Sequence, residues 1–184
     1  MRAFLAVEVD AGVRAPLATL TASLGQQGSA VHWVPDAARH LTIKFLAAVA
    51  DETLAALQTE LRFALATIAP LPAVARGIGV FPHWRRPRVV WAGVDCDGLA
   101  EVAARVDATA ARLGLPPDTR PFAPHITLGR VQSPRGWSAC AGALRVHAAS
   151  EFGRWTIGAL HAFQSDLRPG GAVYTKRWSI PFGA

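Results

Sequence analysis

The sequence predicts an α+β fold built on antiparallel sheet, and three observations predict it. Strand-like and helical segments are mixed without the regular strand-helix-strand spacing of a doubly wound parallel sheet. Neither a G-x-G-x-x-G nor a P-loop pattern occurs. A four-residue pattern of His, apolar, Thr, apolar occurs twice, at His40-Leu41-Thr42-Ile43 and at His125-Ile126-Thr127-Leu128. No Gly/Ser-rich or charged linker interrupts the chain, so residues 1–184 are expected to form one domain whose lobes, if any, are intertwined.

The elements follow in order. Residues 2–9 (RAFLAVEV) alternate and carry β-formers, which predicts a strand; a helix from Val13 to Leu24 follows, closed by Gly25 and Gly28. Val31 to Val34 and Arg39 to Leu46 read as two strands joined at Pro35-Asp36. Asp51-Glu52 opens an Ala/Leu-rich helix ending near Ile68, where Pro70 and Pro72 stop it. Strands around Val74 to Phe81 and Arg88 to Val94 flank the loop PHWRRP, whose prolines and charges forbid regular structure. A second long helix spans about Leu99 to Leu113 with Gly114 at its end, and His125 to Val131 returns to strand. Ser133-Pro134 caps one more helix, and Arg154 to Phe163 with Ala172 to Ile180 reads as a hairpin around RPGGA.

Composition excludes several classes. An apolar content of 51% with 17% charged residues is that of a chain with a sizeable core, not a disordered tail. No run approaches the ~20 apolar residues of a membrane span, and the apolar stretch from Ala64 to Ala75 is broken by Pro70 and Pro72. Glu8 and Asp10 interrupt the apolar start where a signal-peptide cleavage region would follow, so a mature, cytoplasmic N-terminus is expected. Cys96 and Cys140 lie far apart, with no C-x-x-C pattern or nearby histidine, and are expected to be reduced thiols. A net charge of +6 favours polyanionic ligands such as nucleic acid, although 17 of the 19 basic residues being arginine also fits codon bias with a solvated excess.

The repeated motif carries the chemistry. With 6 histidines and 11 threonines in the chain, two such matches arise by chance in only about 0.4% of shuffled sequences. Strand periodicity puts His40 and Thr42 on one face and Leu41, Ile43 and Phe45 on the other, and it treats His125 and Thr127 against Ile126 and Leu128 in the same way. Two histidines supply what in-line cleavage of a phosphodiester requires: a base for the nucleophile's proton and an acid for the departing oxygen. Threonine hydroxyls then hold the non-bridging oxygens. The motif neighbours are Leu, Thr, Ile and Lys44, not metal ligands, so neither metal nor cofactor is expected. Trp33, Phe81 and Trp84, beside Arg85, Arg86 and Arg88, are candidates for base stacking, with core packing an equal explanation of Trp33. His32, His83, His147 and His161 lack the motif context and are assigned to structure or solvent.

Five segments, MRAFLAVEV, VHWVPDAARHLTIKFLAAV, GVFPHWRRPRVVWAGV, PFAPHITLGRV and SDLRPGGAVYTKRWSIPF, resemble in order and spacing the two-histidine phosphoesterase superfamily. Within it the resemblance is to the RNA 2′,3′-cyclic phosphodiesterases, historically called 2′-5′ RNA ligases. It implies a bilobal fold, two antiparallel sheets with flanking helices and pseudo-twofold symmetry about a central cleft. It implies that His40 resembles the proton donor and His125 the proton acceptor, with Thr42 and Thr127 as phosphate holders. Arg130 falls where the family has an arginine near the ligand; strict alternation puts it on the wrong face, and a bulge would re-aim it. AAVA after HLTIKFL departs from the family's usual glycine and acidic residue, which touches a turn. The expected ligand is an RNA or oligonucleotide with a 2′,3′-cyclic phosphate end, opened to a 2′-phosphomonoester by a monomeric protein away from membranes. The reverse 2′-5′ ligation is a side activity. The alternative is an RNA-binding module that uses the same basic cleft without turnover.

Overall fold

In the computed structural model, which describes residues 1–25, 30–169 and 171–183, the alternating start forms β1 (Arg2–Glu8) and runs into α1 (Ala11–Gly25). Gly28, the second glycine expected to close that helix, lies outside the described residues. There follow β2 (Val31–Trp33), a 3-10 turn (Asp36–Ala38), β3 (His40–Ala48), α2 (Asp51–Leu65), β4 (Leu71–Phe81) and β5 (Val89–Asp95). The chain continues as α3 (Leu99–Arg112), β6 (His125–Val131), α4 (Trp137–Arg145), β7 (Glu151–Ile157), β8 (Ala159–Arg168) and β9 (Gly171–Pro181). Pro72 is tolerated inside β4 because it pairs only with β7; the pairing with β5 begins at Val74. No helix among the described residues is long and apolar enough to cross a membrane.

The expected α+β, antiparallel architecture is what the chain adopts. All strand pairs are antiparallel, in the order β7-β4-β5-β6-β3-β1-β8-β9, with β2 added on β6. The order reads as two four-stranded halves, β7-β4-β5-β6 and β3-β1-β8-β9, joined at β6–β3 by one register pair, Leu41 opposite Ile126. Each half holds a strand-helix-strand unit, β1-α1-β3 in one and β5-α3-β6 in the other. The two sheets implied by the resemblance are therefore continuous through this pair, which sits on the local twofold axis. Leu41 and Ile126 are both fully buried, and each contributes about 1.5–3 kcal/mol from its removal from water.

The tail departs from expectation. Arg154 to Phe163, read as one strand, belongs to two, β7 and β8, divided at Gly158. β7 pairs with β4 at one end of the order, whereas β8 pairs with β1 and β9 near the other. A one-residue link between them requires the sheet to curl so that the β7 edge approaches the start of β8. Local alternation does not reveal this, because both segments alternate and only their partners differ.

The halves share a second irregularity. Along β3 the pairing steps from Ala6–Thr42 to Leu5–Lys44, skipping Ile43; along β6 it steps from Trp91–Thr127 to Val90–Gly129, skipping Leu128. A β-bulge thus falls on the fourth residue of each motif and reverses the facing of the residues beyond it. Lys44 turns inward, 2% exposed, and its ammonium bonds Asp107 on α3 and, at 3.0 Å, the carbonyl of Pro116. Phe45, expected to anchor the apolar face, turns outward and is 67% exposed.

Candidate active site

The Leu41–Ile126 pair fixes the geometry of the motifs. Carrying its antiparallel register one residue either way sets His40 opposite Thr127 and Thr42 opposite His125. Leu41, Ile43, Ile126 and Leu128 point into the core, so the four polar residues emerge together, half-buried, on the open face of the curled sheet. The structure thus brings the four motif residues together.

Each imidazole is held in the same way. Nδ1 of His40 lies 2.9 Å from the carbonyl oxygen of Ala38, and Nδ1 of His125 lies 2.7 Å from that of Ala123. A carbonyl oxygen only accepts, so Nδ1 donates and Nε2 is left for a ligand in both rings. The segment before His40 is fastened by Arg39, which is 6% exposed and donates to Thr21 Oγ1 on α1 at 2.7 Å. Burial pushes the pKa of His40 below that of a free imidazole, the Ala38 carbonyl opposes this, and the charge of His125 adds to the lowering. His125 is lowered by burial too, against the Ala123 carbonyl.

Aromatic rings wall both sides. In the first half Phe4, 3% exposed, stacks on His40 at 4.6 Å between ring centroids, and Tyr174 stands edge-on to both, 5.3 Å from His40 and 5.0 Å from Phe4. Phe163 lies against Phe4 at 5.4 Å and also stacks on His40 at 6.5 Å. In the second half Phe81 meets His125 edge-on at 5.0 Å and packs on Trp91 at 5.1 Å. The Trp91 ring lies over Gly79, where a Cβ would come within 2.2 Å of it, so only glycine fits there.

Arg130 is on the open face. The bulge at Leu128 re-aims it, so that it occupies in β6 the place of Phe45 in β3, and it is exposed. Trp84 is taken up elsewhere: it packs on Trp137 at 6.1 Å, with the Arg145 guanidinium 4.9 Å over its ring. Trp33 is also a packing residue, its ring filling the space a Gly129 side chain would need. Arg85, Arg86 and Arg88 lie in the loop after Phe81, with Arg85, Arg86 and Arg88 directed away from the core. His161, 8% exposed, bonds Ser179 at 2.8 Å and faces Glu8 at 3.5 Å, with Lys176 closing on Glu8 at 2.6 Å. Among the described residues no group of three or more His, Cys, Asp and Glu side chains is placed to hold a metal ion. Sequence reasoning missed Phe4, Trp91 and Phe163. The first looks like any core member of an alternating strand, and the other two act through cross-strand neighbours.

Two histidines, each with a threonine two residues on, facing each other across the twofold axis of a curled antiparallel sheet, define the two-histidine phosphoesterase class. The chain belongs to the 2′-5′ RNA ligase superfamily, whose family model matches residues 16–168. It is 31% identical over 176 residues to an RNA 2′,3′-cyclic phosphodiesterase of Methanothermobacter thermautotrophicus, covering 95% of each chain. The crystal structure of TT0787 of Thermus thermophilus superposes with a TM-score of 0.84 at 29% identity, over 100% of this chain and 98% of that one. The crystal structure of E. coli LigT complexed with 3′-AMP gives a TM-score of 0.76 at 25% identity, over 100% of this chain and 98% of that one.

Proposed function

We propose that this protein hydrolyses the 2′,3′-cyclic phosphate end of RNA to a 2′-phosphomonoester, with His40 as general acid and His125 as general base. The observation that carries the mechanism is the pair of upstream carbonyls that hold both Nδ1 atoms, so that both rings offer Nε2 from opposite sides of the twofold axis. A phosphorus on that axis has one ring on the side of attack and the other on the side of departure, as in-line displacement requires. Neutral His125 takes a proton from water as its oxygen bonds phosphorus; the bond from phosphorus to the 3′ oxygen breaks, and His40 protonates that oxygen. The proton lost by His40 and the one gained by His125 are then exchanged with solvent. Thr42 and Thr127 donate to the non-bridging oxygens, whose charge Arg130 complements from the open face.

The lowered pKa of both histidines supplies the neutral base, and the anionic phosphate favours the protonated form of the acid. A 5′-hydroxyl in place of water follows the same path, giving its proton to His125 as it bonds phosphorus and the 3′ oxygen departs, and so joins ends through a 2′-5′ bond. The test is an RNA with a 2′,3′-cyclic phosphate end, incubated with purified protein in excess EDTA, with 2′- and 3′-phosphate products resolved. The 2′-phosphate is expected. RNA retained without turnover supports a binding module in place of an enzyme, and turnover abolished by EDTA contradicts the metal-free path.

A further inference from the structure

The charge of this chain is concentrated in one part of it. Residues 67–94 and 119–150 hold eight arginines and no Asp or Glu, whereas the rest of the chain holds all 13 acidic residues and the other 11 basic ones. The net charge of +6 therefore comes entirely from the segments that build β4, β5, β6 and α4 with their loops. Six of the eight arginines, Arg85, Arg86, Arg88, Arg130, Arg135 and Arg145, are exposed. The contacts between their segments bring them to one end of the second half. The loop that carries the first three leaves β4 at Phe81, 5.0 Å from His125, and returns at Val89, opposite Arg130 in register. Its Arg88 carbonyl accepts from the Val131 N–H at 3.0 Å, which ties it to the end of β6. Trp137 Nε1, at the start of α4, donates to the Trp84 carbonyl at 3.2 Å, and the Arg145 guanidinium lies over the Trp84 ring. Arg135 sits in the turn between β6 and α4.

Among the described residues none of these six arginines makes an ion pair with a carboxylate, whereas Arg14, Arg39, Arg76, Arg154 and Arg177 each do. An excess set by codon usage alone would be scattered over the surface and paired where carboxylates are near. Like charges gathered without counter-charges raise a positive potential that a polyanion relieves. The first half is poorer ground for one: Lys176, on its open face, is neutralised by Glu8 at 2.6 Å. We propose that the arginine end of the second half is the track for the phosphodiester backbone of the RNA strand behind the reacting end, gripping phosphates that the motif residues do not touch. The proposal rests on the reading that the cleft takes a 2′,3′-cyclic phosphate. Guanidinium groups grip phosphate oxygens and read no base, so the track gives a preference for length and not for sequence.

The experiment measures kcat/KM across a range of salt for a nucleoside 2′,3′-cyclic monophosphate and for a short single-stranded RNA with the same end. Wild type is compared with a track variant, Arg85→Gln with Arg86→Gln and Arg135→Gln, and with a control that loses the same charge elsewhere, Arg62→Gln with Arg112→Gln and Arg168→Gln. The expected result is a wild-type preference for the RNA of roughly tenfold or more at low salt, lost as salt rises. On the RNA the track variant's plot of log kcat/KM against log salt is shallower by about 2, or ~0.7 for each phosphate contact removed, a roughly twentyfold difference in response between about 50 and 200 mM salt. On the mononucleotide the track variant matches wild type, and the control keeps the wild-type slope on both substrates. Equal wild-type salt slopes for the two substrates overturn the proposal and leave the arginine end to some other polyanion. A control that flattens the slope as much as the track variant also overturns it, because net charge and not place would then be at work. So does a track variant that loses equally on both substrates, the signature of a merely structural role. No wild-type turnover of either substrate instead removes the hydrolase reading, and the track with it.

Discussion

Removing Asp107 is expected to cost more stability than removing the lysine it serves. The Lys44 side chain is 1% exposed, and its ammonium is held by Asp107, by the Pro116 carbonyl at 3.0 Å and by Asp118 at 3.4 Å. Breaking a buried pair by deleting one partner costs about 3–5 kcal/mol when the other charge is left uncompensated. Here two partners survive Asp107→Ala, so roughly 2–3 kcal/mol is expected, or a Tm lower by roughly 4–12 °C at this chain length. Lys44→Met keeps the volume and removes the charge, leaving Asp107, 29% exposed, free to hydrate. It should stay within about 1 kcal/mol of wild type. Adding Lys44→Met to Asp107→Ala should recover most of the loss, a coupling of more than about 1 kcal/mol in a double-mutant cycle read by urea unfolding.

The pH dependence has a definite sign. Burial raises the Asp107 pKa, but the Lys44 ammonium and the Asp118 backbone N–H outweigh it, and the net is a value below the usual 3.8. A carboxylate with a depressed folded pKa stabilises above its unfolded pKa and loses that contribution as pH falls through the folded one. The gap between wild type and Asp107→Ala should therefore be full at neutral pH and close below about pH 3.8. An Asp107→Ala protein as stable as Lys44→Met, or a gap constant from neutral pH to 3, would refute this account of the buried lysine.

Three further outcomes are expected at the site. Both motif histidines are lowered by burial, so kcat/KM should begin to fall on its alkaline limb below the 6.5 of a free imidazole, while kcat, read in the complex with an anion, breaks at higher pH. A limb above 6.5 in kcat/KM would contradict the lowering of the acid. Arg130→Ala should cost roughly 10- to 100-fold in kcat/KM, the worth of one charge-assisted contact, and raise the salt tolerance of the remaining activity. Gly79→Ala should push the Trp91 ring off the sheet and toward His125, destabilising by roughly 1–3 kcal/mol and altering tryptophan emission; wild-type stability and emission would show that the ring does not rest there.

Much of this was legible along the chain because it is written at short range. β6 begins and ends where its alternation places it, and the paired motifs come together as their strand periodicity requires. The hidden part depends on partners. Ile43 and Leu128 look like ordinary members of alternating strands; they become bulges only because β1 and β5 supply one residue fewer opposite them. Phe45 and Arg130 thereby exchange the face that strict alternation gives them, and Lys44 goes inward. Gly158 ends one strand and lets the next begin on a different neighbour, a choice no local pattern records. Trp91 and Gly79 fit as a large and a small residue across two strands, a complementarity invisible until their register is known.

The central claim is the division of labour between His40 and His125, and a leaving group that needs no acid separates them. With sulfur replacing the 3′ oxygen of the cyclic phosphate, departure as a thiolate does not require protonation. On the ordinary RNA, His40→Ala and His125→Ala should each lose roughly 10²- to 10⁴-fold in single-turnover rate, the usual worth of a general acid or base. On the sulfur substrate His40→Ala should return to within roughly tenfold of wild type, while His125→Ala, still lacking its base, remains down by roughly 10²- to 10⁴-fold. Rescue of His125→Ala instead would reverse the assignment, and rescue of neither would contradict acid catalysis by His40.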